Sequence, residues 1–446
     1  MDKPSGYYDG INTYLLNQVP ATARKILEIG CGTGALGACI KERHPGVMYH
    51  GLEIDPGAAR MAALRLDHVF LGSIETDILN QTNEQYDCIL FGDVLEHLYE
   101  PVAALRKVRP FLQADGIVLC SIPNVQHHSV LTSLLSGDFQ YQNAGLLDRT
   151  HIRFFTYASF IKLMLDAGFI PEIVDTVVWN PTPAFLDALT PGLNQLRQDV
   201  TRSTFYLSAY QYIFRGRLNL EYDQALNSAF PLSIIVSVKD RRILGDNLAS
   251  SAIFRQPHPH QLILLENQSS AGQALATGVQ QAVHDFVVYV QQDVYLPDRW
   301  DALFTHQVVM ARRLQPHARV FGVYGVTCRD DVGYHHGFVM DRHWPRESGG
   351  PMPVEVESLD EMVIGFWKEG FPGVNLELGD HFYGTDIVCA YRDQGGCAMV
   401  VKAICYYNAG LGLTTDPAFL VSAHCFMQSK WRKFLPLATT NVVMKS

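Results

Sequence analysis

Short apolar runs alternate with amphipathic stretches of helical length from Lys25 to about Val178. Runs without a polar face are what strands buried on both sides of a sheet require, and the alternation predicts βαβ units around a parallel sheet. The strand candidates are Ile26 to Ile29, Val47 to Glu53, Tyr86 to Gly92 and Ile117 to Ile122. A second series starts at Pro231, with Leu232 to Val238, Gln261 to Glu266, Asp285 to Val290 and Arg319 to Val323 as its strands. The restart predicts two α/β domains, residues 1–178 and 231–446, with 179–230 between them. That segment carries Pro181, Pro183 and Pro191, then Phe205, Tyr206, Tyr210, Tyr212 and Phe214, then Arg215 and Arg217. It reads as a helical linker whose apolar face packs between domains. An alternative use of aromatics beside arginines is a helix lying on a membrane surface near a lipid-linked acceptor.

Composition narrows the function classes. The 446 residues exceed what one hydrophobic core usually supports, and 48% hydrophobic with 18% charged residues is the balance of an ordered enzyme. A net charge of -10 argues against a nucleic-acid partner, because phosphate grooves concentrate Lys and Arg. Nine Cys lie scattered, with no CxxC and no Cys/His ligand cluster, so neither a disulfide frame nor a zinc site is expected. Met1 to Gly10 lacks the basic and apolar regions of a signal peptide, and no stretch reaches the ~18 apolar residues of a membrane span. The expected location is the cytoplasm, with peripheral association at the inner face of the membrane as the alternative.

The segment KILEIGCGTGALG sets Glu28, Gly30, Gly32 and Gly34 at the end of the first strand and the opening of a helix. Glycines there let the backbone turn and approach a ligand closely. Gly32, Gly34 and Gly37 also spell GxGxxG, with Glu53 placed as the ribose-binding acid of a dinucleotide site. Glu28 separates the two readings. A carboxylate near the loop repels a pyrophosphate and attracts the ammonium and sulfonium of S-adenosylmethionine. The stretches LEIGCGTG, GLEIDP and FGDVLEHL, each after a strand candidate, resemble class I S-adenosylmethionine-dependent methyltransferases. The resemblance implies a Rossmann-like sheet, with Glu28, Gly30, Gly32 and Gly34 around the methionine part of the cofactor. It implies Glu53 on the ribose hydroxyls, Ser73 and Ile74 near adenine, and Asp93 closing the pocket. Ser73 departs from the Asp that many relatives carry.

Further on, IPNVQHHSV and GLLDRTHIRFF resemble a methyltransferase subgroup of bacterial polysaccharide and O-antigen clusters, the whole likeness covering about Tyr7 to Asp175. Methyl transfer to a sugar hydroxyl needs a proton acceptor, and His suits it because its ordinary pKa lies near 6.5. His151 is the first candidate and His127 the second, with Asp148 as the group that orients an imidazole or the sugar. Arg149 and Arg153 either hold an anionic acceptor or pair with Asp148. The bland alternative for each His is a structural one.

In the second series, DFVVYVQQDVYLP ends a strand near Asp293, where an α/β sheet presents a metal ligand. A nucleotide sugar needs its diphosphate neutralised before it can leave, which Mg²⁺ or Mn²⁺ on a carboxylate does as a Lewis acid. The stretches PLSIIVSVKDR, DFVVYVQQDVYLP and HFYGTDIV resemble family 2 glycosyltransferases of GT-A fold, from about Pro231 to Gly412. That resemblance implies Val236, Ser237 and Glu266 around the nucleotide, Asp293 on the metal, and Leu359 to Glu361 facing a sugar. Three departures stand out: Gln291 and Gln292 reduce the usual DxD, Gly384 replaces the acidic base, and Tyr407 stands where relatives often have His. Asp386, His381 or Asp380 are the substitutes for the base, Asp386 first, although an acid at a helix N-terminus is commonly structural.

The function expected is therefore bifunctional, with an S-adenosylmethionine-dependent O-methyltransferase followed by a nucleotide-sugar glycosyltransferase of surface-glycan synthesis. The partners expected are a nucleotide sugar and a glycan or lipid-linked saccharide. Rival readings are a second domain that retains the fold and only binds, and an NAD oxidoreductase in the first half.

Overall fold

Five residues of sequence KILEI, all but the first buried, form an interior strand of the N-terminal sheet. The computed structural model describes residues 9–196, 198–224, 227–255, 257–341, 345–348, 350–408 and 417–445. The outer ends of the two resemblances, Tyr7 and Gly412, lie outside them. The chain divides into two units, Met1–Leu220 and Glu221–Ser446.

In the first unit the strands are β1 (Lys25–Ile29), β2 (Met48–Glu53), β3 (His68–Leu71), β4 (Tyr86–Gly92), β5 (Leu112–Pro123), β6 (Phe169–Val178) and β7 (Ala209–Leu218). Their order in the sheet is β3-β2-β1-β4-β5-β7-β6. β1 to β5 run parallel, and β7 is antiparallel to both β5 and β6. The helices are α1 (Thr13–Gln18), α2 (Ala35–Arg43), α3 (Pro56–Ala62), α4 (Pro101–Val108), α5 (His128–Leu135), α6 (Tyr157–Asp166), α7 (Pro183–Gln195) and α8 (Val200–Ser208). Strand order reverses between β1 and β4, and a crevice opens at the carboxyl ends of strands at such a switch point.

The linker expected over 179–230 is corrected here. It holds α7 and α8, the latter with Phe205 and Tyr206, but Tyr210, Tyr212 and Phe214 lie on β7, an interior strand, so the first unit extends to Leu220. Tyr210, Tyr212 and Phe214 are spaced by two, the period of a strand. Tyr212 and Phe214 are buried and meet Tyr157 and Phe160 of α6, while Ile213 joins the core on the other face. Those two rings are therefore unavailable to a membrane surface. Among the described residues no helix is long and apolar enough to cross a membrane.

In the second unit the strands are β8 (Leu232–Val238), β9 (Gln261–Glu266), β10 (Phe286–Val290), β11 (Val294–Tyr295), β12 (Ala318–Gly322), β13 (Tyr324–Arg329), β14 (Val332–Asp341), β15 (Pro345–Glu347), β16 (Val354–Val356), β17 (Ser358–Leu359), β18 (Val363–Trp367), β19 (Cys397–Val400) and β20 (Tyr406–Tyr407). A mixed main sheet has the order β16-β19-β12-β18-β10-β8-β9, with β18 antiparallel to β10 and β12. A second sheet runs β11-β20-β14-β13-β17, and β15 pairs with β14. The helices are α9 (Arg241–Asp246), α10 (Ala271–Gln281), α11 (Trp300–Leu314), α12 (Tyr383–Asp393) and α13 (Pro417–Gln428). Two apolar clusters line the two faces of the main sheet: Ile234 and Val236 belong to one, Ile235 to the other.

Candidate functional site

The loop after β1 is the first feature at the switch point. Gly30 and Gly34 have φ of +73° and +77°, a region that a side chain strains. A Cβ on Gly30 would lie 2.6 Å from Val94 Cγ2, so the loop tolerates no side chain there. Gly34 is the N-cap of α2 and offers no side-chain cap, which leaves backbone amides of the helix start available to a ligand.

Glu53, the last residue of β2, reaches this loop. Its Oε2 accepts the Gly32 amide at 2.8 Å and its Oε1 accepts the Asp55 amide at 2.9 Å. Glu28 stands differently from the expectation that it faces the cofactor's charge. It is 5% exposed, and its Oε2 accepts the Tyr49 hydroxyl at 2.8 Å. Burial, reinforced by Glu53 and opposed by the Tyr49 hydrogen bond, pushes Glu28 up to about 7. The acid that touches the glycine loop is therefore Glu53, with Glu28 held at its foot.

Asp93 follows β4 with φ +54°, unusual for a residue with a side chain. Its Oδ1 accepts Ser121 Oγ at 2.7 Å and Gln211 Nε2 at 2.8 Å, and Asn12 Nδ2 donates to Ser121 Oγ at 2.9 Å. Burial raises the Asp93 carboxyl above its ordinary range against these bonds. Ser73 and Ile74 follow β3; Ile74 is buried, and Ser73 Oγ accepts the Glu75 amide at 3.1 Å. Gly30, Gly32, Gly34, Glu53, Ser73 and Asp93 thus all lie at or just past the carboxyl ends of neighbouring parallel strands.

The two histidine candidates separate. His127 is buried and caps α5: its Nδ1 accepts the Ser129 amide at 3.3 Å, and Nε2 lies 3.1 Å from the Trp179 carbonyl. Burial lowers its pKa. With one nitrogen accepting and the other donating, His127 is a neutral structural imidazole, which corrects its catalytic assignment. His151 is also buried, with Nδ1 3.2 Å from the Leu146 carbonyl and Nε2 3.9 Å from Glu96 Oε1. Asp148, expected to orient an imidazole or the sugar, has its Oδ1 accepting the Thr150 amide and hydroxyl, both at 2.8 Å. The groups beside His151 are Glu96 and His97, whose rings and carboxylate converge from the turn after β4. Sequence reasoning quoted these two within FGDVLEHL without assigning them, and the acid and base side by side were the available signal. Tyr49, Ser121 and Gln211 gave no signal, because only the sheet brings them to the site.

In the second unit Asp293 is half-buried beside β11. Burial, with Asp360 and Asp341 adding to it, pushes Asp293 up to about 7. Gln292 Oε1 accepts the amides of Lys239 and Asp240 at 2.9 and 3.0 Å, so this glutamine anchors the β8–α9 turn. Val236 is fully buried in the core, and its side chain does not face a nucleotide; Ser237 beside it points to the other face, by Tyr289. Glu266 is bound by Arg241 through two contacts of 2.8 and 3.0 Å. The catalytic assignment of Asp386 is corrected. It is buried, Oδ1 accepts Trp431 Nε1 at 2.5 Å and Oδ2 accepts the Asn375 amide at 2.7 Å, so both oxygens brace the fold. Asp380 is likewise engaged, by the Ala271 amide at 2.7 Å and Lys239 at 2.5 Å. Glu361, which the resemblance sets facing a sugar, accepts the Gly384 amide at 3.2 Å and is pushed by burial up to about 8. A Cβ at Gly384 would meet Glu361 Cγ at 2.9 Å, so the glycine makes room for that side chain.

A Rossmann-like α/β unit with a glycine turn and an acid on the next strand is an arrangement that can hold a nucleoside cofactor. Residues 27–118 match the family model described as a methyltransferase domain. Among the chain's relatives, the ubiquinone biosynthesis O-methyltransferase of Dinoroseobacter shibae is 29% identical over 171 residues, 36% of this chain and 66% of that protein. That of Aeromonas salmonicida is 25% identical over 161 residues, 35% of this chain and 68% of that protein. The chain thus spans about two thirds of the length of these relatives. A solved S-adenosylmethionine-dependent methyltransferase from Archaeoglobus fulgidus is 16% identical, with TM-score 0.33, over 46% of this chain and 91% of that one.

Proposed function

We propose that the N-terminal unit methylates a hydroxyl of a saccharide, on a bacterial surface glycan or its lipid-linked precursor. The observation that carries this reading is the convergence of Glu96, His97 and His151 just past Asp93, one turn from the strand end that flanks the glycine loop. In this reading the loop amides and Glu53 hold S-adenosylmethionine, and the acceptor oxygen enters beside the imidazoles. The O–H proton is lost beside that cluster and passes to solvent as the carbon–oxygen bond forms and the carbon–sulfur bond breaks, releasing S-adenosylhomocysteine. The relatives are named as O-methyltransferases, which supports oxygen as the acceptor atom. The saccharide rests on the likeness of IPNVQHHSV and GLLDRTHIRFF to the polysaccharide subgroup. Incubation with S-adenosylmethionine and candidate oligosaccharides, read by mass spectrometry, tests it; transfer to a quinol-type phenol with none to sugars would overturn the substrate class.

For the second unit we propose sugar transfer from a nucleotide donor, with Mg²⁺ or Mn²⁺ held at Asp293. Three mutually repelling carboxyls, Asp293, Asp341 and Asp360, support a cation there. A second reading, a binding module without turnover, draws on the engaged carboxyl of Asp386. Nucleotide-sugar hydrolysis with Mn²⁺ and binding of UDP, GDP and dTDP separate the two. Holding both activities on one chain raises the effective concentration of the shared glycan.

A further inference from the structure

Glu96, His97 and His151 offer one ligand atom each, and the three atoms lie within 4.8 Å of one another. Two of these residues come from the turn after β4 and the third from a loop far along the chain, so the fold assembles the group. Each imidazole has its Nδ1 on a backbone carbonyl: His97 on Thr150 at 3.0 Å, His151 on Leu146 at 3.2 Å. Metal-bound histidines are held this way, because a carbonyl on one nitrogen fixes the N–H there and turns the other lone pair to the ion. An independent observation is Glu96 itself. It is 1% exposed, and among the described residues its Oε2 has no hydrogen-bond partner. A buried carboxyl oxygen left without a partner is costly unless something compensates it. Asp93 and Asp148 are near enough to add to the repulsion there. A buried patch with three acids and two imidazoles has a ready compensator in a cation.

We propose that Glu96, His97 and His151 bind one divalent first-row transition cation, of which Zn²⁺ is the best match to a set of two imidazoles and one carboxylate. Zinc ligands ~2.0–2.1 Å from the ion are roughly 3.3 Å apart in a tetrahedron, so modest side-chain rotations close the present spacing. Three protein ligands leave a fourth position open, where a hydroxyl can bind. The catalytic use of the ion rests on the methyltransferase reading above, whereas its binding does not. In that use the acceptor O–H ionises on the metal and its proton passes to solvent. The metal-held oxygen then takes the methyl, and the carbon–sulfur electron pair stays with S-adenosylhomocysteine. His151 acts in this scheme as a ligand and not as the base.

The test is Co²⁺ titration of the chelator-stripped full chain, followed by visible absorption and displaced by Zn²⁺, on the natural chain and on E96Q, H97Q, H151Q and D293N. S-adenosylhomocysteine binding is measured on each to confirm a folded first unit. The expected result is one equivalent with absorption of low-coordinate Co²⁺, retained in D293N and bound at least tenfold more weakly in each of the other three variants. No such equivalent in the natural chain, or unchanged affinity in folded H97Q and H151Q, overturns the site. Methylation that survives chelation overturns the catalytic use alone. Loss of S-adenosylhomocysteine binding with the cation still bound counts against the methyltransferase reading and leaves the site standing.

Discussion

His127 and His151 look alike in sequence, each beside polar residues after an apolar strand, yet the fold gives them opposite duties. His127 spends both nitrogens on the cap of α5 and on Trp179, so H127A is expected to cost about 1–2 kcal/mol of stability in urea unfolding and to leave the chemistry of the remaining folded protein intact. H151A removes a group from the reacting cluster and is expected to slow methylation by about 10²–10⁴-fold with the fold retained, as circular dichroism and turnover together show. Glu28 adds a pH signature. In the unfolded chain it ionises near 4.5, in the folded one near 7, so between these values the folded state binds the extra proton and stability falls as pH rises. E28Q keeps an acceptor for Tyr49 and is expected to flatten that fall, with a gain at pH 8 of at most about 3 kcal/mol and none below pH 4. Denaturant midpoints of both proteins from pH 4 to 8 check it. At this scale the sequence disclosed the residue types. It did not disclose that Glu28 turns to Tyr49 while Glu53 takes the glycine amide, because in a parallel sheet only register decides which acid meets the loop.

The strands were the most legible elements, since a run such as FVVYV has no polar face and two sheet faces to fill. β7 was not legible as a strand. Its arginines and its place after a stretch with Pro181, Pro183 and Pro191 suggested a linker helix, and the two-residue spacing of Tyr210, Tyr212 and Phe214 carried the opposite message. The consequence is testable: a chain ended at Val178 keeps β6 but loses the strand that joins it to β5. That fragment is expected to be insoluble or molten, and residues 1–220 to give dispersed amide resonances; a well-folded 1–178 fragment would contradict the topology. The clustering of Glu96 with His151 was hidden for a related reason, since a loop separated by more than one helix returns to the turn after β4 only in the folded chain.

As a whole the molecule comprises two α/β units with separate cores and separate candidate sites. Calorimetry is expected to resolve two transitions, one raised by S-adenosylhomocysteine and the other by a nucleoside diphosphate with Mn²⁺. Composition announced the size and the two-domain count, and the chain's acidity pointed away from nucleic acid, but neither could name the second unit's chemistry. The account depends most on the cofactor of the first unit. Isothermal titration of the full chain with S-adenosylhomocysteine, with NAD as the comparison and E53A as the variant, measures this directly. Saturable one-to-one binding, weakened at least tenfold in E53A and absent for NAD, is the predicted result; no heat at millimolar S-adenosylhomocysteine, or equal binding of NAD, would contradict it.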